Sequence, residues 1–206
     1  MGFELSRYLR PEDCSVLVFE CQEGVVGAGS FLPGLAAAVR DGGVLESIAG
    51  LLDSARSAGA RVIYCTAEKR LDGVGNPFNT PIEMRLRAQG GSVPDMGDVV
   101  AEVAPRDGEV VVRREHGMTG FYESGLDAYL RNSGTQTLIL TGVSVNIGVL
   151  GTAIEAVNRG YTVVVPTDCV AGDPPEYAEA ALRYSVRNLA FLSTRDEIEV
   201  AWRANA

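Results

Sequence analysis

Residues 140–152 read LTGVSVNIGVLGT, and this stretch decides the fold. Its first residues close a β-branched run, 136–142 (QTLILTG), and its last ones open a helical pattern. Between residues 146 and 159, Ile147, Leu150, Ala153, Ile154 and Val157 recur at helical spacing, and Gly160 ends the pattern. A strand that runs straight into a helix is half of a β-α-β unit.

Working outward, the same alternation fills the chain. Apolar runs at 14–20 (CSVLVFE), 60–66 (ARVIYCT), 109–113 (EVVVR) and 161–166 (YTVVVP) read as strands, with a last candidate at 198–201. The runs are nearly continuous rather than alternating, as parallel strands covered on both faces require. Helical patterns lie between them. Residues 44–58 align Leu45, Ile48, Leu51, Leu52 and Ala55 before Gly59. Pro174 and Pro175 open a helix to about 189, with Tyr177, Ala181 and Tyr184 expected inward. The expectation is an α/β fold: a doubly wound, Rossmann-like, mostly parallel six-stranded sheet with helices on both faces. Residues 68–107 break the pattern with Gly, Asn, Pro and charge, and only 81–88 looks helical. This excursion is expected over the carboxyl edge of the sheet, where such proteins bind ligands. No internal repeat or low-complexity tract divides residues 1–206, so a single domain is expected.

Composition narrows the function. The 206 residues carry a formal net charge of −9, which disfavours nucleic acid and anionic membrane surfaces as partners. No run approaches the ~18 apolar residues of a membrane span, and the first residues carry no apolar secretory core. Cys14, Cys21, Cys65 and Cys169 have no metal-site spacing, and they read as buried thiols in a reducing cytoplasm. No Walker loop is present, and the glycines of 24–34 lack dinucleotide spacing, so no cofactor is expected. His116 is the sole histidine, and no metal site is expected.

Three segments can carry chemistry. Glu20 ends the first strand, where partial burial suits a carboxyl to acid–base work. Residues 109–124 (EVVVRREHGMTGFYES) bring Arg113, Arg114, Glu115 and His116 to the same edge, and a guanidinium there suits a substrate carboxylate. Side chains alternate along a strand, so one of the two arginines at most points into the crevice. The helix start after residue 142 offers backbone N–H groups to an anion. Gly148 and Gly151 share a face there, which also suits close helix–sheet packing.

Together these segments resemble the isochorismatase-like, or cysteine hydrolase, superfamily across nearly the whole chain. The strand acid followed by Gln is Glu20-Cys21-Gln22, and the strand cation ahead of an aromatic is Arg114 before Phe121. The most specific match is Thr141-Gly142-Val143-Ser144-Val145-Asn146-Ile147-Gly148-Val149, followed by TAIEAVNRGYTVVVPTD. The resemblance implies catalytic positions at Glu20, Arg114 and Gly148, and substrate contacts from Gln22, His116, Phe121, Ser144 and Asn146. It also implies a cis peptide bond between Val143 and Ser144, and a homodimer or higher homo-oligomer. All three catalytic positions depart from the amidase pattern: Glu stands for Asp, Arg for Lys and Gly for the nucleophilic Cys. An ungapped count puts Glu115, not Arg114, in the lysine position. Gly148 has no atom with which to form a thioester. The family's isochorismatases cleave a vinyl ether without a thiol, by protonation from the strand-one carboxyl and attack of water. The expected function is therefore a hydrolase acting on a small carboxylated metabolite by acid–base chemistry. The alternative is a catalytically silent homologue that binds a ligand or serves as a scaffold. A titratable Glu20 beside an apolar pocket favours the first; a Glu20 locked to Arg114 with no cavity favours the second.

Overall fold

Strands β1 (Cys14–Phe19) and β4 (Thr137–Val143) are buried at every residue. Their uninterrupted apolar character reflects cover on both faces. The computed structural model describes residues 5–90 and 95–205. With β2 (Arg61–Ala67), β3 (Val110–Arg114), β5 (Thr162–Pro166) and β7 (Phe191–Ser193) they form a parallel sheet in the order β3-β2-β1-β4-β5-β7. A two-residue strand, β6 (Val170–Ala171), pairs with the end of β4. The chain is thus α/β, with six strands in the main path as expected and a seventh beside it.

One apolar layer joins α2 (Pro33–Asp41), α3 (Val44–Ala58) and α8 (Arg195–Asn205) to one sheet face through Leu35, Ile48, Leu52, Ile198 and Trp202. The other joins α5 (Leu126–Asn132), α6 (Leu150–Asn158) and α7 (Pro175–Tyr184) through Leu126, Leu130, Ala153, Ala156, Ala178 and Ala181. A short α1 (Glu23–Val26) follows β1, and α4 (Pro81–Gly90) lies within the excursion, ending at residue 90 where the pattern suggests 88. Residues 91–94 of that excursion lie outside the described residues.

Three expectations need correction. Residues 198–201 are helical, and the sixth strand is β7. Ile198, Ala201 and Trp202 are buried while Val200 is exposed, which is helical spacing. Thr194 and Glu197 cap the helix reciprocally: Glu197 Oε2 accepts from Thr194 N–H at 2.9 Å, and Thr194 Oγ1 accepts from Glu197 N–H at 3.3 Å. Second, Tyr177 and Tyr184 face outward, and the buried stripe of α7 is Ala178 and Ala181. Third, Ile147, Ile154 and Val157 are exposed, while Thr152, Ala153 and Ala156 are buried. Residues Val145–Val149 form a π-helical turn ahead of α6. A π turn holds more residues than an α turn, so a helical phase read straight through it slips.

The connectivity positions the site. From β1 the chain moves outward to β2 and β3, then returns to β4 on the other side of β1. Such a reversal opens a crevice at the carboxyl ends of the two central strands. Glu20 follows one of those strands and Ser144 the other.

Candidate active site

At the crevice, β1 and β4 approach closely. Gly142 has φ +96°, and a Cβ there would run into the carbonyl of Phe19. Only glycine combines that backbone with that clearance. The next peptide bond, Val143–Ser144, is cis, as the resemblance implied. Across from it Glu20 takes a left-handed φ of +52°, which turns its side chain off the strand.

Glu20 meets Arg114 there. Arg114 Nη2 donates to Glu20 Oε1, and Nη1 donates to the carbonyls of Gly117 and, at 3.4 Å, His116. The Arg114 side chain is 3% exposed, its Nε is buried without a partner, and its guanidinium lies 5.4 Å from the Phe19 ring centroid. Glu115 is exposed, and Arg113 points outward to Glu68 at 2.7 Å. Strand alternation therefore settles which residue of this run enters the crevice: Arg114. Burial pushes the Glu20 carboxyl above its usual value, against the pull of Arg114 and, more weakly, Lys69. Oε2 of Glu20 takes no hydrogen bond from any described residue.

Glu20 borders an inner chamber of about 160 Å³ with Arg114, Gly148, Ser144, Met118 and Lys69 among its walls. Apolar cover comes from Val25, Leu35, Ile82 and Met96. Ile82 belongs to α4, so the excursion does lie over the site. Phe31, Leu32, Leu35, Ile82, Ser144 and Ile147 also line an outer chamber of about 370 Å³, which adds Arg85, Asn146 and Asp173. The two form one stepped cleft.

The remaining expected contacts are distributed differently. Gln22 is buried, and its amide is spent on backbone: it donates to the carbonyls of Ala67 and Gly97 and accepts from Ala67 N–H. Asn146 borders the outer chamber, but both ends of its amide hold Asp173, at 2.7 and 3.1 Å. Phe121 is buried, stacked on Tyr161 and covered by the Arg159 guanidinium 4.6 Å away. His116 is exposed and offers its carbonyl to Arg114. Ser144 alone of that group borders both chambers.

No cysteine lines either chamber among the described residues. Cys65 lies within reach of the charges of Arg114 and Glu20, yet it is fully buried and donates to the Gly120 carbonyl at 3.9 Å. Burial pushes it up to about 11 despite Arg114. Cys21 and Cys14 are pushed up to about 12, and Cys169 is raised too. Sequence reasoning overlooked Lys69. Its segment, residues 66–70 (TAEKR), offers no histidine, but Lys69 stands two residues past the end of β2, the neighbour of β1, and that adjacency is the signal that points to it.

The Isochorismatase domain family model matches residues 14–197, and the chain belongs to that family. An isochorismatase family protein of Bacillus subtilis (strain 168), YwoC, is 37% identical over 53% of this chain and 59% of its own length. The ureidoacrylate amidohydrolase RutB of Stutzerimonas stutzeri is 30% identical over 69% of this chain and 63% of its own. The chain thus spans about three-fifths of these relatives. A cysteine hydrolase from Pseudomonas syringae pv. phaseolicola shares the fold with a TM-score of 0.79, at 22% identity, over 97% of this chain and 96% of its own.

Proposed function

We propose that this protein is a hydrolase that acts on a small carboxylated metabolite by acid–base chemistry, with no covalent enzyme intermediate. One observation carries the reading: the raised carboxyl of Glu20 borders a half-open, largely apolar chamber whose wall at residue 148 is glycine. A carboxyl whose pKa is raised keeps its proton to higher pH and so becomes a better placed proton donor. On a vinyl ether, Glu20 protonates the terminal alkene carbon and an oxocarbenium ion forms. Water then adds to that ion and loses its proton to the Glu20 carboxylate, restoring the acid. The resulting hemiketal collapses to a carbonyl and an alcohol. Arg114 steadies the carboxylate form of Glu20 during the cycle. A family relative is named for amide hydrolysis; here a thioester route has no side chain to start from.

The ion pair itself favours the second reading, a silent homologue whose Glu20 is structural. The chamber beside the pair favours catalysis, because a purely structural pair needs no cavity. Incubation with a pool of carboxylated metabolites, including enolpyruvyl ethers and ureido acids, followed by NMR, separates the two. Turnover that disappears in Glu20→Gln supports the hydrolase. Binding without turnover across the pool supports the silent homologue.

The protein is further proposed to work as a homo-oligomer in the cytoplasm. Exposed Ile147, Ile154, Val157, Tyr177 and Tyr184 on α6, α7 and the preceding turn support the first point. Four buried free cysteines support the second. Light scattering at micromolar concentration should give at least twice the chain mass, and Ile154→Asp should lower it.

A further inference from the structure

We infer that Lys69, not Arg114, receives the carboxylate of the ligand. The inference rests on the chamber at Glu20 being the ligand site and deepens that reading by naming its anion receptor. Both guanidinium nitrogens of Arg114 that reach partners are committed: Nη2 to Glu20, Nη1 to the carbonyls of His116 and Gly117. Its Nε is buried, and its charge is balanced by Glu20. Of its five N–H donors only the second on Nη2 and the buried Nε are left, on a side chain that is 3% exposed, so little of it is open to a second anion.

Lys69 differs in each respect. It lines the inner chamber with Glu20, and its charge acts on the Glu20 carboxyl. Its side chain is 15% exposed, so the ammonium is neither dissolved in solvent nor sealed away. The described partner is Glu83 Oε1 at 3.3 Å, a long contact that leaves two of its three N–H groups for another acceptor. Its stem of four rotatable carbons lets the head group turn toward a ligand. Glu83 does not depend on Lys69 for its place: Oε2 accepts from Thr80 Oγ1 at 3.0 Å, and Thr80 Oγ1 accepts from Glu83 N–H at 3.3 Å, a cap at the start of α4. Glu83 therefore acts as a resident counter-ion that the ligand carboxylate joins or displaces. A substrate held this way has its anionic end at Lys69 and its reacting bond within reach of Glu20 in the same small chamber.

The test measures binding, not turnover, with 4-fluorobenzoate and its uncharged analogue 4-fluorobenzamide followed by fluorine NMR. The full chain should bind the benzoate more tightly than the amide. Lys69→Met should weaken the benzoate on the order of tenfold and leave the amide unchanged, as loss of one charge-assisted hydrogen bond requires. Lys69→Arg should restore most of the loss. Glu83→Gln should tighten the benzoate several-fold by removing its competitor. Unchanged thermal midpoints establish that the variants are folded. The inference is overturned if the full chain fails to bind benzoate, if Lys69→Met binds it normally, or if the loss appears in Arg85→Met, on the outer chamber, instead. Lys69-dependent binding with no substrate turned over would sustain the receptor and remove only the hydrolase reading.

Discussion

The ring of Phe19 fills the space that a side chain on residue 148 would need: a Cβ built on Gly148 would lie 2.5 Å from Phe19 Cε1 and 3.3 Å from Cδ1. Phe19 is fully buried, and the Arg114 guanidinium packs over its ring. Residue 148 thus lacks room for a side chain as well as the side chain itself, because the neighbouring aromatic occupies the space.

Gly148→Cys should therefore create no reactive thiol. Overpacking against Phe19 should cost about 1–3 kcal/mol, read by urea unfolding. Adding Phe19→Ala should relieve the clash, so the double variant loses less stability than the two single losses summed, a coupling expected between residues in contact. Iodoacetamide should label residue 148 in the double variant only. Rapid labelling of the single variant would show that Phe19 moves aside freely.

The raised carboxyl of Glu20 sets a pH profile. Its ordinary value is 4.5, and burial moves it upward. The protonated form is the active acid, so kcat/KM should hold a plateau below the raised pKa and fall as pH climbs through it. Glu20→Gln should reduce kcat by about 10²–10⁴-fold and abolish that alkaline limb. A limb that persists in the variant would assign it to another group.

Arg114→Met should destabilise the fold by about 1–3 kcal/mol, because it leaves the Glu20 carboxyl and the carbonyls of His116 and Gly117 without their donor. The same change removes the largest pull holding Glu20 down, so the alkaline limb should move to higher pH. Glu20→Gln combined with Arg114→Met should recover part of the stability. A double variant as unstable as the sum would mean that the two side chains act separately.

Any turnover should survive iodoacetamide and the variants Cys21→Ser, Cys65→Ser and Cys169→Ser within a few-fold. The thiols are buried and raised, so little thiolate exists to react at neutral pH. Loss of turnover in any one of them, with circular dichroism unchanged, would restore a cysteine mechanism.

Local pattern was enough to read most of the architecture. The apolar runs that became β1 through β5 announce parallel strands because a strand sheathed on both faces has no polar side to show. The strand-to-helix passage at residues 140–152 locates one wall of the crevice, and Glu20 at the end of β1 locates the other. Gly148 announces on its own that residue 148 offers no thiol. The errors came where short-range pattern is ambiguous: the run at 198–201 suits helix and strand alike, and the π turn at Val145–Val149 rotates every later position on α6.

What only the tertiary structure decided is which side chains meet. Arg114 turns inward and Glu115 outward because β3 pairs with β2 in a register that sets Arg114 beside Ala67. Gln22 and Asn146 are drawn into backbone clamps by segments 45 to 75 and 27 residues away, Gln22 by Ala67 and Gly97 and Asn146 by Asp173. Lys69 reaches the chamber because β2 lies against β1, although 49 residues separate it from Glu20 in sequence. Sequence patterns report the periodicity of one element's burial, whereas a site at a topological switch is assembled from several elements. Its membership follows from how the sheet orders its strands.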